Sequence, residues 1–361
     1  MLKVVLCIPS LQTAGAEKFV VDLATNLDCT KVKIYVAITR NNEIGIYGEL
    51  LKKQNIEIVD LSGKNVFQMF MKQYRFFQKI RPDVIHTNIG SLFHVMVMSK
   101  ILNIKGRLYT VHNEAKLLYG ESKLRKKVYK LAFSFFGFEP VAICNSIKES
   151  FVEAFGSNYE NMYTINNGVD IERFKPSDLS IDSQQIQFIN TGTMYWIKNQ
   201  KEIIEAFSVI AKKYSNVKLT ILGDGQERNN LENLVKEKEI LNKVYMPGIC
   251  KNVEDYLKSA DVYISSSLTE GLPLSMLEAM ACGLPIITSN VGGCVDIVKT
   301  DLNGIVYRKQ NTKELINAMD RIIKNTSYRK SLAKNSRSMA ESWSEKKCAE
   351  KYLNLYKLLS R

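Results

Sequence analysis

The chain has no apolar run approaching the ~20 residues that a membrane-crossing helix needs, so no crossing is predicted. Proline is scarce, 7 in 361 residues, and charged residues make up 24%. That balance argues against long disordered tails. No C-x-x-C pair occurs. The 7 cysteines (Cys7, Cys29, Cys144, Cys250, Cys282, Cys294, Cys348) are scattered and odd in number. They read as buried thiols in a reducing cytosol, which excludes a disulfide frame and a zinc site. The opening Met1-Leu2-Lys3-Val4-Val5-Leu6, ended by Pro9, is too short for a signal peptide. G-x-G-x-x-G is missing, which weighs against a dehydrogenase. No RNA- or DNA-binding motif is present, so nucleic acid is not an expected partner.

What is present is basic charge. Lys and Arg number 50 against 37 Asp and Glu, a net +13, which favours anionic partners such as phosphorylated substrates or an anionic membrane surface. The length predicts two domains, since single cores stop growing at roughly 250–300 residues.

One stretch organises the rest, Thr269 to Pro285. Gly271 and Pro273 break regular structure. Leu274-Ser275 offers a helix start, with the Ser275 hydroxyl as a cap. Met276, Leu277, Met280 and Ala281 follow at helical spacing until Gly283 and Pro285 stop the helix. A glycine loop feeding a helix start suits a phosphate. Glu270 and Glu278 flank it, and ionised carboxylates accept hydrogen bonds from sugar hydroxyls. Hydroxyls at both ends with phosphate between describe a nucleotide sugar. Solvated glutamates beside an ordinary loop are the competing reading for either residue.

The remaining chain alternates strands and helices, which predicts parallel α/β sheets. Strand Val4–Ile8 leads through Pro9–Gly15 to a helix opened by Ala16-Glu17-Lys18. Strand Arg107–Val111 is ended by His112, and ligands sit at the carboxyl ends of such strands. His86 also ends a strand, and His94 is expected to be structural. Asn145-Ser146 is expected to cap a helix. The α/β rhythm breaks at 172–184, which predicts a linker. It restarts with strand Ile186–Asn190, then Gly192, a helix opened by Lys198-Asn199, and glycine turns at Gly223 and Gly248.

Two helices mix basic and aromatic residues, Val66–Ile80 and the stretch Ser122–Phe138. The second carries Lys123, Arg125, Lys126, Lys127 and Lys130, then Phe133, Phe135, Phe136 and Phe138. Two readings stay open: a solvated face followed by core, or a face lying on an anionic membrane.

Glu270 to Glu278, with Gly271, Pro273, Glu278-Ala279 and Gly283-Leu284-Pro285, resembles the E-x7-E signature of the family-4 retaining glycosyltransferases. Asn167-Gly168-Val169-Asp170 is similar to the segment ending that family's first domain. The resemblance covers essentially the whole chain and is strongest from 141 to 306. It implies the GT-B fold, two Rossmann-like domains facing across a cleft, with a last helix crossing back to the first. The expected domains are 1–172 plus 345–361, and 184–344.

The resemblance further implies a retaining hexosyl transfer from a nucleotide-diphosphate sugar to a lipid-linked or polysaccharide acceptor in cell-surface glycan synthesis. The expected place is the cytoplasm, peripheral on the inner membrane face. Glu278 would hold the ribose, Glu270 the donor sugar, and His112 sugar and acceptor. Lys198, with backbone N–H groups from the 273–276 stretch, would stabilise the leaving diphosphate. Gly15, Gly192, Gly223 and Gly248 would approach the donor. No cofactor is expected, and no metal, since no D-x-D-like pair stands at a strand end. UDP is the expected nucleotide on frequency alone. Two departures stand out: Ala14 where the family usually has Gly, and Thr193 where it usually has Arg. A nucleotide-sugar epimerase of this fold and a non-catalytic partner subunit are the alternatives.

Overall fold

The computed structural model describes residues 1–12, 15–40, 44–177 and 185–361. Ala14 and the 178–184 part of the expected linker lie outside them. The chain divides into two compact units, residues 1–168 with 345–361, and residues 169–344. Residues 172–177 group with the second.

In the first unit the strands are β1 (Leu2–Ile8), β2 (Val32–Ile38), β3 (Glu57–Asp60), β4 (Val84–Asn88), β5 (Gly106–Val111), β6 (Glu139–Ala142) and β7 (Tyr163–Thr164). They form one sheet in the order β3-β2-β1-β4-β5-β6-β7, with parallel pairing throughout. The second unit has β8 (Ile186–Thr191), β9 (Val217–Leu222), β10 (Val244–Gly248), β11 (Val262–Ser265), β12 (Ile286–Ser289) and β13 (Gly304–Tyr307). Their order is β10-β9-β8-β11-β12-β13, again parallel. Each unit is thus wound out from its first strand in one direction and then back in the other. The reversal falls between β1 and β4 in the first sheet and between β8 and β11 in the second. A crevice opens at such a reversal, outside the carboxyl ends of the strands.

Sequence explains the strands. Val4 to Ile8 are wholly buried, as parallel strands covered on both faces must be, and their apolar run is continuous where a half-exposed strand would alternate. Of the cysteines, Cys29 is exposed and Cys250 half-buried, against the expectation of buried thiols. Both lie outside the buried strands and helices that enclose the other five. The expected Asn145-Ser146 cap is also corrected, because the helix Asn145–Phe155 is preceded by Cys144, with no side-chain cap bond.

The last helix, Glu345–Leu359, belongs to the first unit. Tyr352 and Tyr356 are fully buried in its core. They meet a polar cluster on the sheet. His86 Nδ1 lies 2.6 Å from the Tyr356 hydroxyl and Nε2 2.6 Å from Thr110 Oγ1, which is 3.0 Å from the Tyr352 hydroxyl. Burial, reinforced by the neighbouring His112, holds His86 well below its usual range, so the ring is neutral and both nitrogens are used. The placement of His86 as a ligand-side candidate is therefore corrected: it is a docking point for a helix. His94 is structural, its Nδ1 3.1 Å from the Gly90 carbonyl. Tyr356→Phe should strand a buried imidazole nitrogen and lower the unfolding free energy by about 1–3 kcal/mol, read by urea denaturation at pH 7.5.

Candidate active site

The second unit's reversal brings together residues from two separate loops. After β8 the chain passes Gly192 and a 3₁₀ turn, Trp196–Lys198, before the helix Gln200–Lys213. After β11 it runs through Ser266 and Ser267 to Glu270. The Lys198 ammonium donates to Glu270 Oε1 at 2.5 Å. The side chains are 28% and 12% exposed, so water screens this pair less than a surface pair. The helix expected to open at Lys198-Asn199 begins instead at Gln200. Lys198 ends a 3₁₀ turn and is paired across the reversal.

Glu270 is held from several sides. Ser267 Oγ donates to the same Oε1 at 2.6 Å, and the Ser267 carbonyl accepts from Ser289 Oγ at 2.7 Å. Gly292 and Gly293 back onto the loop: a Cβ on Gly292 would collide with the Glu270 carbonyl, and one on Gly293 with the Gly271 carbonyl. Gly292 also has φ +41°. The Gly293 N–H donates to the Gly271 carbonyl at 2.8 Å. These two glycines serve close backbone packing.

The helix Leu274–Ala281 begins after Pro273, which stands at its N-cap without a side-chain cap bond. The Ser275 cap is thus corrected. Ser275 lies inside the first turn, and its Oγ is 2.9 Å from the Tyr263 hydroxyl, itself 3.3 Å from the Thr191 carbonyl. Proline brings no N–H, and the first helical N–H groups have no intrahelical acceptor. The positive end of the helix dipole therefore sits immediately after Glu270 and Gly271. Glu278 is one turn further on, half-buried, close enough to Arg173 to raise that guanidinium, although the Arg173–Glu254 hydrogen bond at 2.8 Å is the larger cause.

Three glycines line the carboxyl ends of β8, β9 and β10. Gly192, Gly223 and Gly248 all have positive φ, 155°, 128° and 87°. The Gly223 N–H donates to the Gly248 carbonyl at 2.9 Å, and a Cβ on Gly223 would strike the Gly192 carbonyl. A Cβ on Gly192 would lie 4.0 Å from Lys198 Cε. Thr193 is exposed, and its carbonyl accepts from Gln200 Nε2 at 3.1 Å.

In the first unit, the corresponding edge carries His112, just past β5. Its Nε2 lies 2.9 Å from Asn88 Oδ1, while Asn88 Nδ2 donates to the Cys7 carbonyl at 3.3 Å. That fixes Nε2–H as the donor and leaves Nδ1 an acceptor. Burial pulls His112 down to about 3, so it is neutral at physiological pH. Glu17 is buried, with Oε2 lacking a hydrogen-bond partner, and burial raises its carboxyl. Gly15 opens the helix Gly15–Asn26 with nothing within 4 Å of a built Cβ.

Sequence reasoning missed Ser266, Ser267, Tyr263 and Asn88, the residues that hold the candidates in place. The run Ser265-Ser266-Ser267 at a strand end was the available signal. Among the described residues, no three His, Cys, Asp or Glu are grouped as metal ligands.

A family sequence pattern described as Glycosyl transferases group 1 matches residues 172–339, and one described as Glycosyltransferase Family 4 matches residues 13–173. An uncharacterized glycosyltransferase of Haemophilus influenzae is 29% identical over 59% of this chain and 61% of its own length. This chain therefore spans less than two thirds of that relative. The Escherichia coli UDP-Gal:alpha-D-GlcNAc-diphosphoundecaprenol alpha-1,3-galactosyltransferase is 26% identical over 69% of this chain and 68% of its own. Among solved structures, Anabaena HepE in complex with UDP superposes with a TM-score of 0.86 at 19% identity, over 98% of this chain and 99% of that one. That likeness shows the fold, two Rossmann-like domains of the GT-B kind.

Gly293→Ala should lower stability by about 1–3 kcal/mol by forcing the Gly271 carbonyl aside, whereas Gly15→Ala should leave it unchanged or slightly raised. Paired thermal melts of the two variants check this contrast.

Proposed function

This chain belongs to the family-4 glycosyltransferases, and we propose that it moves a hexosyl group from a UDP-sugar to a hydroxyl of a lipid-linked glycan, with retention at the anomeric carbon. The observation that carries the reading is the Lys198–Glu270 pair at 2.5 Å, set beside a helix start that has no side-chain cap. A cation and a helix N-terminus side by side make a diphosphate site. The UDP bound to HepE and the UDP-Gal named for the Escherichia coli relative support uridine as the base. The diphosphoundecaprenol in the same relative's name supports a lipid-linked acceptor.

In this reading the Lys198 ammonium and the Leu274 and Ser275 N–H groups meet the diphosphate, and the Gly192–Gly223–Gly248 edge lets it approach backbone closely. Glu270 turns its second oxygen to the donor sugar hydroxyls. Glu278 receives the ribose hydroxyls. His112, neutral, offers Nδ1 to a sugar or acceptor hydroxyl. The bond from the anomeric carbon to the diphosphate oxygen breaks, and the acceptor oxygen bonds to that carbon on the same face. The acceptor proton passes to the departing phosphate oxygen. Positive potential placed where negative charge develops is the main source of rate.

Melting scans with UDP, GDP and ADP test this. A nucleotide at 100 times its dissociation constant should add about 2.7 kcal/mol of stability. UDP should give the shift, and Glu278→Ala should abolish it. Lys198→Ala should lower turnover about 10²–10³-fold. A shift without net nucleotide release in the presence of acceptor would favour the epimerase reading. No shift with any nucleotide would favour the non-catalytic partner.

A second surface supports peripheral membrane contact. The helices Val66–Ile80, Leu92–Ile101 and Lys123–Ser134 pack side by side. Together they leave Phe67 75%, Ile101 64%, Leu124 73% and Phe135 59% exposed, among the exposed Arg75, Lys79, Lys100, Lys123, Arg125, Lys127 and Lys130. Not all the aromatics expected there take part, since Phe77, Phe133 and Phe138 are core residues. Among the described residues no helix is long and apolar enough to cross a membrane. Vesicles with anionic lipid should sediment the protein and neutral vesicles should not. Lys123→Glu with Lys127→Glu should release it, and undiminished sedimentation would count against this surface.

A further inference from the structure

Lys198 can meet a phosphate only if the turn beneath it is held, and that turn is unusual. Asn199, directly after it, is left-handed at φ +50°, ψ +37°, and stands at the N-cap of the helix Gln200–Lys213. An N-cap asparagine ordinarily sits in extended backbone and accepts from the first turn. Asn199 makes no such bond. Its Nδ2 donates instead to Glu202 Oε2 at 2.7 Å. Ser266 Oγ grips the turn from the β11 side, donating to the Asn199 carbonyl at 2.7 Å and lying 3.2 Å from the Lys198 carbonyl. The Leu268 N–H donates to the Ile197 carbonyl at 2.8 Å.

Glu202 is a costly residue to place there. It is only 3% exposed. Its Oε1 is out of reach of water and faces the Tyr307 hydroxyl of β13, equally buried, in a poorly formed contact. An apolar residue would pack this position without that penalty. Packing in the core therefore does not explain the carboxyl, and its well-formed bond leads to Asn199.

We propose that Glu202 is a positioning residue for Lys198, holding the left-handed Asn199 turn so that the ammonium is presented at the Glu270 loop. This rests on the reading of Lys198 as a diphosphate contact. The titratable groups acting on Glu202 are Glu205 from its own helix and Tyr307 from β13, with Cys294 behind Tyr307. The helix Thr312–Lys324, packed along the same helix, engages Lys213 through Asp320 at the far end. Burial, then Glu205, push the Glu202 carboxyl up to about 7. An unfolded glutamate releases its proton near 4.5. Stability contributed here is thus present below that value and is lost as pH rises through about 7. The ionised form accepts a charge-assisted bond from Asn199, stronger than the neutral one. The state that costs stability is the state that best holds the turn.

Isothermal titration of the full chain with UDP, GDP and ADP between pH 6 and pH 8.5 tests this. Glu202→Gln keeps an acceptor for Asn199 and loses the charge. It should melt higher than wild type at pH 8 yet bind UDP several-fold more weakly there, with the difference vanishing at pH 6. Glu202→Ala and Asn199→Gly, the latter keeping the left-handed backbone, should each weaken UDP about 10-fold at pH 8, and together no more than either alone. In a Lys198→Ala background neither should weaken it further. Equal losses with and without Lys198, or a Gln variant weakened alike at both pH values, would overturn the positioning role. If Lys198→Ala itself leaves affinity unchanged, the reading of Lys198 fails first. Binding of none of the three nucleotides overturns both.

Discussion

The second unit turns on one ion pair made across the point where the sheet reverses. Two charges brought partly out of water lose hydration that their attraction repays only with good geometry and further hydrogen bonds. Lys198 and Glu270 therefore add little to stability by themselves. Their surroundings look arranged to keep them together. Ser267 shares Glu270 Oε1 with the lysine, Ser266 fixes the turn carrying the lysine, and two glycines let a neighbouring loop press on the Glu270 backbone. Strand order makes this possible. β8 and β11 are neighbours in the sheet though more than 70 residues separate the paired residues.

The two units repeat one winding with different chemistry at the same edge. In the second, the edge is polar and charged, with glycines where strands end. In the first, it is formed by a neutral histidine, an asparagine that orients it and a buried glutamate, against the ring of Phe19 5.1 Å from His112. An uncharged edge suits hydroxyl groups, and a charged one suits phosphate.

Much of this was legible in the sequence. Continuous apolar strands such as Val4–Ile8 announce a buried parallel sheet, because a strand covered on both faces has no polar side to show. Gly271, Pro273 and Gly283 bracket a short helix because glycine and proline constrain the backbone locally, whatever surrounds them. The spacing of Glu270 and Glu278 is likewise a local property, and so is the glycine at the end of each of three strands.

Other features depended on contacts distant in sequence and had no local signature. Nothing near His86 says that Tyr356, 270 residues away, will use its nitrogen. Nothing near Lys198 says that Glu270 will meet it. Ser275 reads as a cap on its own, and only the arrival of Tyr263 from β11 shows its hydroxyl engaged elsewhere. Phe133 and Phe135 are two residues apart and look alike in sequence, yet one is core and the other exposed, because helical phase relative to the sheet decides which side is covered. Residue types and their local spacing set the backbone's local shape and which residues could carry charge or be buried. The tertiary structure alone decided which of them met, since pairing across a sheet reversal is set by strand order and not by chain distance.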